Sequence, residues 1–286
     1  MNAKRILTMA VSLAMATAVL AGCQNEGTPS SGGGDTSKAL SGNISVNGST
    51  SMEDVIGALG EQFKLDNPGV EVTYDPTGSG TGIEAAKNGS ADIGLSSRAL
   101  KDSEIADGLK GTNVALDGIA IIVHKDSKVS NLTVEQIAKI FTGEVTDWKD
   151  VGGDSSAIAP IGRESGSGTR DGFESITDTK DKCKLNQELT STGAVIESVK
   201  NNKNAIGYAS LSAVEGNSDV KAITVESVAC TEENISNGTY KIQRPFVLVT
   251  KEGAELSEAA QAFFDFATSS AAADLIRNAG AVPVAE

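Results

Sequence analysis

Residues 161–173 read Ile161-Gly162-Arg163-Glu164-Ser165-Gly166-Ser167-Gly168-Thr169-Arg170-Asp171-Gly172-Phe173. An apolar segment, Ala157 to Ile161, runs into a turn of glycines and hydroxyls, and a helical pattern opens at Gly168. A strand, a glycine turn and a helix in that order make a unit of an α/β fold. The turn places hydroxyls and unpaired backbone N–H groups at the positive end of a helix dipole, which favours an anion. Glycine lets the backbone approach an oxygen closely. Arg163 and Arg170 flank the turn and supply charge.

The same pattern occurs twice upstream. Asn43 to Asn47 reads as a strand, Gly48-Ser49-Thr50-Ser51 as a turn, and a helix capped by Ser49 or Thr50 runs to about Leu65, with Val55, Ile56, Leu59 and Phe63 on one face. Val70 to Tyr74 alternates as a strand, Thr77-Gly78-Ser79-Gly80-Thr81-Gly82 forms the next turn, and a short helix follows to Lys87. A fourth element, Asp92-Ile93-Gly94-Leu95-Ser96-Ser97-Arg98, ends a strand in hydroxyls and a cation. Gly118 to Val123 is an apolar run suited to a strand buried on both faces. Further helices are expected over Leu132–Phe141, Gly193–Lys200 and Leu256–Ala267, and strands over Ala205–Tyr208 and Phe246–Val249. This rhythm predicts mostly parallel α/β sheets, with the ligand site at the strand-to-helix turns.

Composition narrows the function. The chain has 286 residues, room for about two domains. Only 4% are aromatic, so the core is built from Ala, Val, Ile and Leu. The formal charge of −14 repels a phosphodiester backbone and argues against nucleic-acid binding. One histidine and three cysteines exclude zinc-finger arithmetic. There is no GxxxxGK[ST] and no GxSxG, and a Ser-His-Asp triad would have to use His124, which reads as a structural residue at the end of an apolar strand. Trp148 reads as a packing anchor. No cofactor and no metal are called for.

The N-terminus reads as a signal. Lys4 and Arg5 precede an uncharged run of 15 residues, Ile6 to Leu20, short for a membrane span and suited to a secretory segment. Leu20-Ala21-Gly22-Cys23 resembles the lipobox of bacterial lipoproteins, which implies cleavage before Cys23 and a lipid on that cysteine. Cleavage leaves 22 basic against 38 acidic residues, a formal −16. Residues 24–41, rich in Gly, Ser and Thr, read as a tether with a reach of roughly 20–25 Å. Outside the cytosol Cys183 and Cys230 can pair, closing a loop of 48 residues.

GSTS (48–51), TGSGTG (77–82), ADIGLSSR (91–98) and IGRESGSGTRDGF (161–173), in this order and spacing, resemble the extracytoplasmic phosphate-binding proteins of bacterial ABC phosphate importers. NAIGYAS (204–210) and the lipobox are similar to the lipoprotein branch of that family. The resemblance covers about residue 42 to the C-terminus. It implies a two-lobed class II periplasmic-binding-protein fold with the anion in the cleft. Lobe 1 is expected over 42–123 and 243–286 and lobe 2 over 124–242. The chain is expected to cross near Val123 to Asp126 and to return near Tyr240 to Pro245.

By position, the resemblance implies phosphate ligation by Thr50, the N–H of Ser51, Ser79, Arg163, Ser167, Gly168 and Thr169. Ser97 falls where the family carries an aspartate that accepts the ligand's proton, a departure from the pattern. Arg98 is a further candidate ligand. Two outcomes are open: weaker discrimination, or replacement of the aspartate by Glu164, Asp92 or Asp171, with which phosphate is expected to outcompete sulfate by at least ~100-fold, about 2.7 kcal/mol. The implied partners are inorganic phosphate and the permease and ATPase subunits of an importer. The implied state is a lipid-anchored monomer on the extracytoplasmic face of the cell membrane. The alternatives are a carrier of sulfate or molybdate, and a secreted hydrolase using a turn serine.

Overall fold

The computed structural model describes residues 39–284. The signal segment, Cys23 and the tether up to residue 38 lie outside the described residues. The tether ends sooner than expected. Leu40 packs against the core, and Ser41 already opens the first strand, paired with Gly69.

The chain first lays down β1 (Ser41–Gly48), α1 (Glu53–Asp66), β2 (Gly69–Asp75), α2 (Ser79–Asn88), β3 (Ile93–Ser96) and α3 (Asp102–Ala106). Strand β4 (Leu109–His124) then leads into β5 (Asn131–Leu132), α4 (Val134–Phe141), β6 (Ala159–Arg163), α5 (Gly168–Ile176), β7 (Gln187–Leu189), α6 (Thr192–Lys200) and β8 (Ala205–Ser210). There follow α7 (Leu211–Val214), β9 (Val220–Val225), α8 (Glu232–Ser236), β10 (Gln243–Lys251), α9 (Glu258–Ala267), α10 (Ala273–Asn278) and β11 (Val282–Pro283).

Two sheets share strand β4. In the first, β2, β1 and β3 are parallel, while β10 is antiparallel to both β3 and β4. In the second, β6 is parallel to β8 and β7, while β4 is antiparallel to β8 and β9. The expected parallel character therefore holds for the strand–turn–helix units and fails for the long strands that join the lobes. Each sheet has its own apolar core. Val55, Ile56, Leu59 and Phe63 of α1 pack with β1, β3 and α9 in one. Ile119 to Val123, all fully buried, run through the other.

Strand β4 changes its pairing partner within its length. Gly118 still pairs with Gln243 of β10, and Ile119 already pairs with Ser210 of β8. The switch is thus inside a continuous strand, and Val123 to Asp126 lies at the far end of β4 in the second sheet. The return is at Ile242, whose carbonyl accepts from the Ile119 N–H.

His124 is buried, and its Nδ1 accepts from the Asp126 N–H at 3.1 Å. Trp148 is also buried, with Nε1 donating to the Asn204 carbonyl. Cys183 and Cys230 are both free thiols, so the disulfide that the sequence left open is not formed. Cys183 donates toward Thr179 below α5. Cys230 packs over Gly118, where a Cβ would overlap its sulfur. Burial pushes the Cys183 thiol up to about 11 and that of Cys230 higher. Thiol titration of residues 24–286 is expected to count two free thiols after denaturation and almost none reacting at neutral pH in the native fold.

Candidate functional site

The first turn is built by a tight strand exit. Gly48 has φ +142°, and a Cβ there would run into the Leu95 carbonyl of the neighbouring strand. Ser49 accepts from the Ser51 N–H and caps a short 3-10 turn, Thr50–Met52, that leads into α1. Thr50 and Ser51 are buried. The Tyr74 hydroxyl donates to the Ser49 carbonyl at 2.7 Å and fixes the turn from β2. The second turn opens α2 at Ser79. The Ser97 N–H, just past β3, donates to Ser79 Oγ at 3.1 Å, and the two hydroxyls are 3.2 Å apart.

The third turn follows β6 in the other lobe. Ser167 accepts from the Arg170 N–H and caps α5. Gly168 then lies against Ser79 and Ser97 across the cleft: an ideal Cβ would overlap Ser79 Oγ and stand 2.8 Å from Ser97 Oγ. Ser51 Oγ is 2.7 Å from Thr169 Oγ1, and the Gly80 N–H donates to the Gly166 carbonyl at 2.9 Å. The residues of the expected ligand set therefore come together: Thr50, Ser51, Ser79 and Ser97 on one side, with Arg163, Ser167, Gly168 and Thr169 facing them.

Arg163 is 2% exposed and braced at every edge. Its Nε donates to Glu164 Oε2 and the Leu189 carbonyl, and its Nη2 to Glu164 Oε1 and the Thr190 carbonyl. The remaining nitrogen, Nη1, is aimed at Thr50 Oγ1 and Thr192 Oγ1, 3.1 and 3.3 Å away. Arg170 does not join the cradle. It pairs with Glu174 and donates to the Arg163 carbonyl, holding the backbone from behind.

Two features escaped the sequence reading. The first is a fourth turn: Ser191 caps α6, and Thr192 at its first position reaches Thr50, Ser51 and Arg163. The Thr192 N–H also donates to Thr50 Oγ1 at 3.2 Å. The second is a buried ion pair. Arg244 Nε and Nη2 donate to Asp117 Oδ2, while Nη1 donates to Thr169 Oγ1 and the Ser97 carbonyl. Asp117 is fully buried and accepts as well from Ser210 Oγ and the Leu211 N–H. Burial pulls its carboxyl upward, opposed by the Arg244 charge and these hydrogen bonds. Arg244 thus ties a residue of each lobe to the switch strand.

The candidate proton acceptors are otherwise engaged. Asp92 accepts from the N–H and hydroxyl of Ser45, below the site. Asp171 pairs with Arg98 and Lys101. Both oxygens of Glu164 are held by Arg163. Arg98 is turned away from the cradle, its two terminal nitrogens on Glu104 at 2.7 and 2.8 Å. Of the candidate ligands it is the one whose side chain is held on Glu104 and Asp171 instead of the hydroxyl cluster.

Four helix starts and six hydroxyls around one point, with Arg163 on Thr50 and Arg244 on Thr169, can hold a tetrahedral oxyanion by donated hydrogen bonds and dipoles. His124 lies seven residues along β4 from Asp117, and its Nδ1 accepts from the Asp126 N–H, not from a serine of the turns.

The comparisons agree with this geometry. A family model described as a PBP superfamily domain matches residues 33–271. The phosphate-binding protein PstS of Borreliella burgdorferi is 31% identical over 279 residues, 93% of this chain and 94% of its own. That of Bacillus subtilis is 28% identical, over 99% of this chain and 95% of its own. A candidate phosphate ABC transporter substrate-binding protein from Clostridium perfringens, solved with bound phosphate, is 39% identical with a TM-score of 0.81, over 85% of this chain and 100% of its own. An ABC-type phosphate transport receptor from Vibrio cholerae is 34% identical with a TM-score of 0.68, over 84% and 99%. With a superfamily model over most of its length and whole-length relatives above 30% identity, the chain belongs to the PBP superfamily and, within it, to the phosphate-binding substrate-binding proteins of ABC transporters.

Proposed function

We propose that this protein is a receptor, not an enzyme, that captures inorganic phosphate between its lobes and hands it to the permease and ATPase subunits of an ABC importer. The observation that carries the reading is the convergence of Thr50, Ser51, Ser79, Ser97, Thr169 and Thr192 with Arg163 at four helix starts. Gly168 adds a first-turn N–H, which has no partner within its helix, while the Ser167 N–H donates to the Glu164 carbonyl. Equilibrium dialysis of residues 24–286 with radiolabelled phosphate is expected to show one saturable site. p-Nitrophenyl phosphate is expected to stay intact. Turnover without reversible binding would replace the receptor by a hydrolase.

Selectivity follows from the acceptors. With Glu164, Asp92 and Asp171 engaged, the ligand's proton is left to the hydroxyls of Ser97 and Ser79. A hydroxyl accepts from a ligand O–H without repelling a bare oxygen. The contrast with sulfate then rests on about one neutral hydrogen bond, ~0.5–1.5 kcal/mol. Preference for phosphate is expected to be roughly tenfold, below the ~100-fold that a free carboxylate would support. Equal displacement by sulfate would make the protein a general oxyanion carrier.

Gly168→Ala tests the closeness of the two lobes at the site. Its φ is not left-handed, so alanine suits the local backbone and the cost falls on the approach of the two lobes. The new methyl would collide with Ser79 across the cleft. Unfolding midpoints without anion are expected to hold or rise, while phosphate affinity falls at least ~10-fold, about 1.4 kcal/mol.

The same reading puts the protein, as a monomer, on the extracytoplasmic face of the cell membrane through a lipid on Cys23. No helix among the described residues is long and apolar enough to cross a membrane. Two or more acyl chains are needed for stable anchoring, at ~0.8 kcal/mol per buried CH₂. Cys23→Ala is expected to release the protein to the medium or leave an uncleaved precursor. Fractionation showing a processed variant still on the membrane would refute the anchor.

A further inference from the structure

Arg98 is the strongest charge near the cleft that the cradle does not use. It follows β3 in the first lobe, and its side chain is 9% exposed. Its terminal nitrogens are pinned by Glu104, which sits on α3 of the same lobe and also accepts from the Lys101 N–H at 2.7 Å. Nη1 donates in addition to the Ala99 carbonyl. A guanidinium held this way has one edge left, Nε. That edge faces Asp171 Oδ2 at 2.9 Å, on the first turn of α5 in the opposite lobe. The contact lies off the N–H direction, so charge holds it more than a directed hydrogen bond. Lys101 Nζ adds a second cation 3.7 Å from the same oxygen. Burial works to lower the Arg98 pKa, yet Glu104 and Asp171 carry it above its ordinary value, so the guanidinium stays charged.

Asp171 is two residues beyond Thr169, on the helix whose first turn lines the cradle. A pull on Asp171 is therefore a pull on Gly168 and Thr169 toward Ser79 and Ser51. The pair spans the cleft beside the site and touches none of the ligating hydroxyls.

We infer that Arg98, preset by Glu104, and Asp171 form an electrostatic latch across the cleft that sets how long bound phosphate is retained. They are positioning residues, and the inference rests on the phosphate-receptor reading. A latch that forms on closure slows opening and leaves encounter unchanged, so its loss appears in release. Side-chain exposure of 35% at Asp171 makes the pair sensitive to salt.

The test is stopped-flow phosphate release from residues 24–286, wild type against Asp171→Asn, Asp171→Glu and Arg98→Gln, and the double variant Arg98→Gln with Asp171→Asn. Asp171→Asn keeps the size and an acceptor oxygen, so the fold is retained, and melting without phosphate monitors it. Release is expected to be three- to tenfold faster in Asp171→Asn, with the association rate unchanged. Wild-type release is expected to quicken with added salt while the Asn variant responds little. Asp171→Glu is expected to restore part of the retention. The double variant is expected to lose no more than Asp171→Asn alone. Wild-type release rates in Asp171→Asn, with phosphate bound normally, would overturn the latch and leave the receptor reading intact. A wild type that binds no phosphate would overturn both.

Discussion

Asp117→Ala is expected to lower unfolding stability by about 3–5 kcal/mol, the cost of leaving a buried charge without its partner. The Asp117 and Arg244 side chains are 0% and 2% exposed, so losing the carboxylate leaves a buried guanidinium without its counter-charge. The Ser210 hydroxyl and the Leu211 N–H would lose their acceptor at the same time. Denaturant melts of residues 24–286 check the value. Replacing both partners, Asp117→Leu with Arg244→Met, is expected to recover much of the loss, because a well-packed apolar pair removes the desolvation cost as well as the attraction. A single variant as stable as wild type would mean that the pair does not hold the lobes at the switch strand.

Arg163→Ala is expected to cost ~1.5–3 kcal/mol of phosphate binding, or 10- to 100-fold in affinity, the value of a hydrogen bond to a charged group. The protein is strongly acidic, so attraction for an anion has to be local. Arg163 Nη1 is aimed at Thr50 and Thr192 of the hydroxyl cluster, and Arg244 Nη1 reaches it at Thr169. Arg163→Lys is expected to recover only part of the loss. An ammonium cannot serve Glu164, Leu189 and Thr190 with one edge while presenting another to the ligand. Competition dialysis with radiolabelled phosphate separates the three proteins.

The features that were legible in the sequence are local ones. Gly48, Ser79 and Gly168 mark strand-to-helix turns because close backbone approach and helix capping are demanded within a few residues of each other. The α1 face of Val55, Ile56, Leu59 and Phe63 was legible because helical spacing writes itself into the chain. What escaped depends on distant partners. Ser191-Thr192-Gly193 reads as an ordinary helix cap, and its place beside Thr50 is set only when the lobes face each other. Asp117 and Arg244 are 127 positions apart. Each alone reads as a surface charge, and only the antiparallel pairing of β4 with β10 brings them together. Arg98 read as a ligand because the Ser-Ser-Arg string ends at the cleft. Its direction is fixed by Glu104 and Asp171, on two other elements. Gly118 to Val123 is almost uniformly apolar, and nothing in such a run shows where its pairing partner changes.

The central claim is that four helix starts and Arg163 form a single phosphate site. Isothermal titration calorimetry of phosphate into residues 24–286, beside Arg163→Ala and His124→Ala, tests it most directly. The account predicts one site per chain in the wild type and in His124→Ala, and affinity lower by 10- to 100-fold in Arg163→Ala. Wild-type affinity in Arg163→Ala, or no saturable heat in the wild type, would contradict it.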